Sequence, residues 1–169
     1  MDFNKLINRR YSSREYRNDP VEDVKLMQVL DAARLAPTAA NKQPFELIVI
    51  NTKGREEELL KIYNRDWFVQ APIVICICTR PDKAWSRMDG KNFADVDATI
   101  AMDHLILCAT DLGLATCWIG AFNPDEAREI LNIPDDYEPL AFTTLGYAND
   151  MPHEKKRKQL SELVHYEIW

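Results

Sequence analysis

Between residues 94 and 112 apolar side chains fall at almost every angle around a helix axis. They are Val96, Ile100, Ala101, Met102, Leu105, Ile106, Leu107, Cys108 and Ala109. A helix apolar around most of its circumference has to be buried on nearly every side. In a chain of 169 residues that leaves two arrangements. The segment is the central helix of a single core, or a second subunit covers one of its flanks. This length supports one substantial core and falls short of two ordinary ones, so a single domain over 1–169 is expected.

Helices and strands alternate around this segment. A first helix over 2–8 runs into an arginine-rich loop. A second follows over 22–35, with Val24, Met27, Leu30 and Ala33 as its inward face and Pro37 as its stop. Runs rich in Leu, Ile and Val predict strands over 46–51, 73–78, 115–119 and 139–147. The run 73–78 is apolar on both faces, which places it centrally. Further helices are expected over 55–63 and 124–131, the latter capped by Asn123 with Pro124 at its first position. Because two helices precede the first strand, the pattern fits three layers around a mixed sheet better than a doubly wound parallel fold.

Several chemistries are excluded or disfavoured. The formal net charge is −6, a poor match for a nucleic-acid backbone. No run approaches the roughly 18 apolar residues of a membrane span. The opening residues Met1 to Lys5 lack the apolar core of a signal peptide, so the cytoplasm is the expected compartment. Cys76, Cys78, Cys108 and Cys117 form no C-x-x-C pair and have no histidine at ligand spacing, which favours buried reduced thiols over a metal site. No glycine-rich dinucleotide or nucleotide-phosphate loop follows any strand.

Four segments carry candidate chemistry. The loop containing Arg9, Arg10, Tyr11, Ser12 and Arg14 offers guanidinium forks and hydroxyls of the kind that hold phosphate oxygens. Lys155, Lys156, Arg157 and Lys158 form a second basic group; both are either solvated charge or the walls of an anion site. The stretch 36–45 has two stiffening prolines, small residues, and amides at Asn41 and Gln43. It is either a rigid connector or a close lining for a flat ligand. The stretch 113–122 reads as a core strand whose Gly120-Ala121 tip presents main-chain N–H groups. The tail ends in an apolar, aromatic run, 163–169, that should dock on its own subunit or on another.

In this order and spacing the four segments resemble the FMN-dependent nitroreductase family, over nearly the whole chain. The matching elements are Arg10-x-Ser12-x-Arg14, the run from Ala36-Pro37-Thr38 to Asn41-x-Gln43-Pro44-Phe45, the run Gly113-Leu114-x-Thr116-Cys117-Trp118-Ile119-Gly120, and the basic pair with its His165-Tyr166-Glu167-x-Trp169 ending. Thr38 and Phe45 stand where the family pattern has Ser and Trp, and Gly120 stands where many relatives have Glu.

The resemblance implies an α+β fold, a three-layer α/β/α sandwich with a mixed, mainly antiparallel sheet, working as a homodimer with FMN sites at the interface. Arg10, Ser12 and Arg14 would hold the FMN phosphate and ribityl, with Tyr11 contributing backbone and Lys155 and Arg157 completing the phosphate site. Pro37, Thr38, Ala39 and Asn41 would come from the other subunit to flank the ring system. Asn64 would face its pyrimidine edge, and the chain at Ile119, Gly120 and Ala121 would face N5. The tail 150–169 would cross to the partner. The implied reaction is hydride transfer from NADH or NADPH to the flavin, then to a nitroaromatic, quinone or similar small molecule in ping-pong order. No protein nucleophile, metal, nucleic acid or membrane is involved. The same fold also accommodates specialised flavin reactions, such as dehalogenation or dehydrogenation, and non-catalytic flavin binding.

Overall fold

The computed structural model describes residues 2–169; Met1, the first residue of the opening read above, lies outside it. The centre is a four-stranded sheet of β1 (Phe45–Asn51), β2 (Ile73–Thr79), β3 (Ala115–Ile119) and β4 (Glu138–Gly146), in the order β1-β2-β4-β3. Every ladder is antiparallel. The parallel element is an isolated bridge from Ser12 to Thr116, which lays the arginine-rich loop along the β3 edge.

β2 is buried at all seven positions, and its two faces divide the molecule. Ile73, Ile75 and Ile77 point into one core with α2 (Asp23–Arg34) and α5 (Ala94–Asp111). Val74, Cys76 and Cys78 point into the other, with α3 (Glu56–Ile62), α4 (Asp66–Gln70) and α6 (Pro124–Leu131). The alternation of side chains along a strand sends successive residues to opposite faces. A strand apolar at every position therefore needs a helical layer on each side, and the result is the expected three-layer α/β/α sandwich. Cys76 and Cys78 share a face, their sulfurs 3.7 Å apart.

The helices form where their ends are chemically marked. Asn123 Oδ1 accepts from the N–H groups of Asp125 and Glu126, and Asn132 closes α6 in the left-handed region at φ 51°. Asp2 caps α1 (Phe3–Arg9) by accepting from Lys5 N–H. α5 starts where Asn92 Oδ1 accepts from Ala94 N–H, and Gly113 at φ +78° turns the chain into β3.

The inward face of α2 differs from the three-residue row read in the sequence. Val24 and Met27 are exposed, while Leu26, Val29, Leu30 and Ala33 face the core. At 100° per residue a strict three-residue repeat slips about 60° per step and winds off the buried side. α5 likewise keeps one flank outside: Asp95, Val96, Thr99 and Asp103 are exposed, against the buried Ala98, Ala101, Met102, Leu105 and Ile106. Along the tail, Leu160, Leu163, Tyr166, Ile168 and Trp169 are exposed, so their apolar surface is not covered by this chain.

Gly146 ends β4 in a tight space. A Cβ there would lie 2.7 Å from Pro72 Cδ and 3.2 Å from Tyr16 Cδ1. Gly146→Ala should therefore force Tyr16 or Pro72 to shift, an overpacking cost of about 1–3 kcal/mol. Thermal unfolding should show it as a lower Tm, with about 2–4 °C lost per kcal/mol at this chain length. An unchanged Tm would mean that the contact relaxes freely.

Candidate active site

The arginine-rich loop is held by residues that the sequence did not single out. Asp150 is its clamp. Its Oδ1 accepts from Ser13 Oγ (2.6 Å) and Tyr11 OH (3.0 Å), and its Oδ2 accepts from Arg14 N–H (2.8 Å). Partial burial works against the charge, yet these three donors hold the Asp150 carboxyl below the usual carboxylate range. Burial and the neighbouring carboxylate push the Tyr11 phenol up to about 12, so it remains a donor at neutral pH.

A second set of bonds welds the loop to the sheet. Ser13 N–H donates to Thr116 O (3.0 Å), Arg17 N–H to Tyr147 O (2.8 Å) and Asn149 N–H to Glu15 O (2.9 Å). Tyr16 is buried, donating to Ser13 O at 3.0 Å and lying 2.5 Å from Thr144 Oγ1. Its phenol is raised by burial, with the two hydrogen bonds partly opposing that.

With its backbone fixed, the loop and the tail present cations side by side. Lys155 Nζ donates to the carbonyls of Ile7 (2.7 Å) and Asn8 (2.6 Å) at the C-terminal end of α1, where a cation is favoured. Its ammonium is nonetheless pulled below the ordinary lysine value, by partial desolvation and then by the positive charges of Arg10 and Arg157. Among the described residues the arginines in ion pairs are Arg17, Arg34, Arg55, Arg80 and Arg87; Arg10, Arg14 and Arg157 are not among them. A like-charge cluster whose side chains form no ion pair among the described residues is the chemistry of an anion site, and phosphate fits it. Beside it lies a recess of about 110 Å³ lined by Arg9, Arg10, Tyr11, Thr110, Leu114 and Ala115, among others.

The other predicted residues divide between this region and a distant one. The Arg14 guanidinium lies 6.0 Å from the centre of the Trp67 ring, which brings the exposed Asn64 turn towards the loop. Gly120 and Ala121 leave the sheet just past the last pairing, Ile119 with Phe142, and are exposed. Ile119 itself is buried in the α6-side core, so only its main chain is available to a ligand.

Pro37, Thr38, Ala39 and Asn41 lie elsewhere. Their segment leads into β1, the sheet edge opposite β3, and Ala39 N–H donates to Asp97 near the start of α5 (2.9 Å). Thr110, beside the arginine recess, lies near the other end of that helix. Thirteen helical steps separate Asp97 from Thr110, about 20 Å at 1.5 Å per step. The two edge strands are a further three strand spacings apart, about 14 Å. Ala40, Asn41 and Gln43 all have positive φ, at 50°, 54° and 49°, in a turn held by Gln43 N–H donating to Thr38 Oγ1.

The family model described as the nitroreductase family matches residues 7–64 and 56–147. A nitroreductase family protein of Clostridium difficile 630, known from its crystal structure, is 43% identical over 100% of both chains, with a TM-score of 0.92. A nitroreductase family protein of Clostridium novyi NT is 32% identical, covering 89% of this chain and 87% of that one, with a TM-score of 0.80. The FMN reductase (NAD(P)H) of Bacillus subtilis is 27% identical over 94% of this chain and 70% of its own length.

The clamp makes a prediction about acid stability. A carboxyl depressed in the folded state adds stability that is complete above its unfolded value, about 3.9, and that is lost as pH falls through the folded value. Asp150→Asn should lower stability at pH 7 by about 1.5–3 kcal/mol, the worth of hydrogen bonds to a charge. It should also flatten the acid side of the stability curve. Denaturant unfolding at several pH values between 3 and 7 checks both, and a variant with the parent's acid limb would remove Asp150 from this role.

Proposed function

The chain belongs to the nitroreductase family, and on that premise we propose that it is an FMN-dependent oxidoreductase. It takes reducing equivalents from NADH or NADPH and delivers them to an electron-poor small molecule, such as a quinone or nitroaromatic, in ping-pong order. The FMN reductase (NAD(P)H) relative supports the cofactor and donor. The observation that carries the reading is the cluster of Arg10, Lys155 and Arg157 beside the Ser12 loop, whose members form no ion pair among the described residues.

Bound FMN supplies the redox chemistry, accepting hydride from a reduced nicotinamide and giving it up to the acceptor. The chain's own residues bind and orient. Arg10, Arg14, Lys155 and Arg157 neutralise the phosphate, and Ser12 and the Tyr11 main chain line the approach to it. Asn64 offers an amide to the pyrimidine edge. The main chain at Ile119, Gly120 and Ala121 offers N–H groups to the reacting face, so a Gly120 side chain is not needed.

Pro37, Thr38, Ala39 and Asn41 lie too far from this cluster to reach the same small molecule within one chain. A site that uses both sets is completed by a second copy, which is the case for a homodimer with two sites. A dimer also explains the exposed flank of α5, and the tail beyond Arg157, reaching across from the attachments of Asp150 and Lys155 to their own chain, would cover its apolar residues. The segment 81–93 is short, a small hairpin closed by the Ser86–Asn92 bridge with Trp85 edge-on to Phe93. Over a flavin it leaves an open pocket, which suits a broad range of acceptors.

The first experiment is an absorbance spectrum of the purified protein before and after anaerobic NADH or NADPH. Flavin bands that either nucleotide bleaches and a quinone restores are expected. Bound flavin bleached by neither would favour a specialised flavoenzyme or a storage protein, and failure to load FMN would overturn the site. The shared site has its own test. Arg10→Ala and Asn41→Ala should each impair FMN retention in homodimers, the arginine change by about 1.5–3 kcal/mol. Mixed dimers of the two should recover one intact site, about half the parental FMN occupancy per dimer. No recovery in verified mixed dimers would place both sets in one subunit's site.

A further inference from the structure

Asp97 is a buried carboxylate that the proposed reaction does not require to touch the flavin. It stands in the first turn of α5 and is only 1% exposed. Its Oδ1 accepts from Ala39 N–H at 2.9 Å, and its Oδ2 is buried with no hydrogen-bond partner among the described residues. A buried carboxylate with one oxygen unsatisfied is costly, so removing it offsets part of the one hydrogen bond lost with it. What the carboxylate does hold is the turn 38–43. That turn contains Ala40, Asn41 and Gln43, three of the five non-glycine residues at positive φ among the described residues. Positive φ is disfavoured for residues with a Cβ, and such conformations persist where surrounding contacts over-determine them. The other side-chain hydrogen bonds of this turn among the described residues, Gln43 N–H to Thr38 Oγ1 and Gln43 Nε2 to Asn41, lie within the turn itself and do not tie it to the body of the protein.

We propose that Asp97 is a positioning residue for FMN recognition. Its bond to Ala39 N–H anchors the turn to α5 and so fixes Thr38, Ala39 and Asn41 in the form that lines the ring system in the dimer. The unused Oδ2 is the acceptor left for a donor that arrives with the completed site. This inference rests on the proposed function. The anchor works through the loop backbone and not by contact with the cofactor, so its loss acts on ring binding and leaves the phosphate cluster intact.

The test compares Asp97→Ala and Asp97→Asn with the parent, using FMN as the probe. Flavin fluorescence titration reads affinity, the flavin visible absorbance and circular dichroism read the ring environment, and hydrogen exchange of the peptide 37–43 reads the anchor. Asp97→Ala should stay close to the parent's Tm, exchange faster at 37–43, bind FMN at least tenfold more weakly and lose the bound-flavin dichroism. Asp97→Asn keeps an oxygen for Ala39 and should restore most of the affinity and the protection. Parental FMN binding by Asp97→Ala, or an Asp97→Asn no better than Asp97→Ala when both are folded, would overturn the inference. An FMN loss matched by a proportionate fall in Tm would also overturn it, by making Asp97 a general structural residue. A parent that binds no FMN would instead overturn the proposed function.

Discussion

The central strand is the constraint from which the rest follows. β2 is buried along its whole length between two other strands, with isoleucines on one side and valine and cysteines on the other. Each face needs its own helical cover, and α5 with α2 supplies one while α3, α4 and α6 supply the other. Once both covers are in place, the two sheet edges remain to take loops. The β3 edge takes the arginine-rich loop through the Ser12–Thr116 bridge, and the β1 edge receives the strained turn from Pro37. The candidate site is thus made of what the sandwich leaves outside.

Charge follows a similar division. The molecule is acidic overall, yet Asp150 and Asp97 are each used to hold backbone. Asp150 satisfies the N–H and hydroxyl donors beneath the arginine loop, and among the described residues the Arg10 and Arg14 guanidinium groups form no ion pair. The cations converge because α1 presents its carbonyl end to Lys155, while the sheet edge carries Arg10 and Arg14. Neither basic run would form an anion site by itself. Partial desolvation and then the charges of Arg10 and Arg157 lower the Lys155 ammonium, and a bound anion would offset that cost.

Much of this fold was legible along the chain because it rests on local signals. The strand runs, the capped α6, the long apolar α5 and the glycine after it all follow from periodicity and end chemistry. α2 was legible as a helix but not in its orientation: Val24 and Met27 read as inward and stand outside. That choice depends on which of two overlapping apolar rows finds a partner, and the partner lies far away in sequence. The four chemical segments were visible as residue types, whereas Asp150 was not, since nothing near it marks a residue that will meet Tyr11, Ser13 and Arg14 from 136 or more positions away.

The sequence by itself determined most of the elements, though not the short α4, together with the double-faced centre of the sheet and the family to which the chain belongs, because these depend on patterns a few residues wide. Only the tertiary structure decided which loops meet. It brought the basic tail to the arginine loop and put Ile119 inward. It set the Pro37–Asn41 turn at the far edge of the sheet, anchored to a buried carboxylate. The physical reason is that burial and hydrogen-bond satisfaction act in space: a side chain's role is set by the surfaces and donors that packing delivers to it, and the order of residues does not specify these locally.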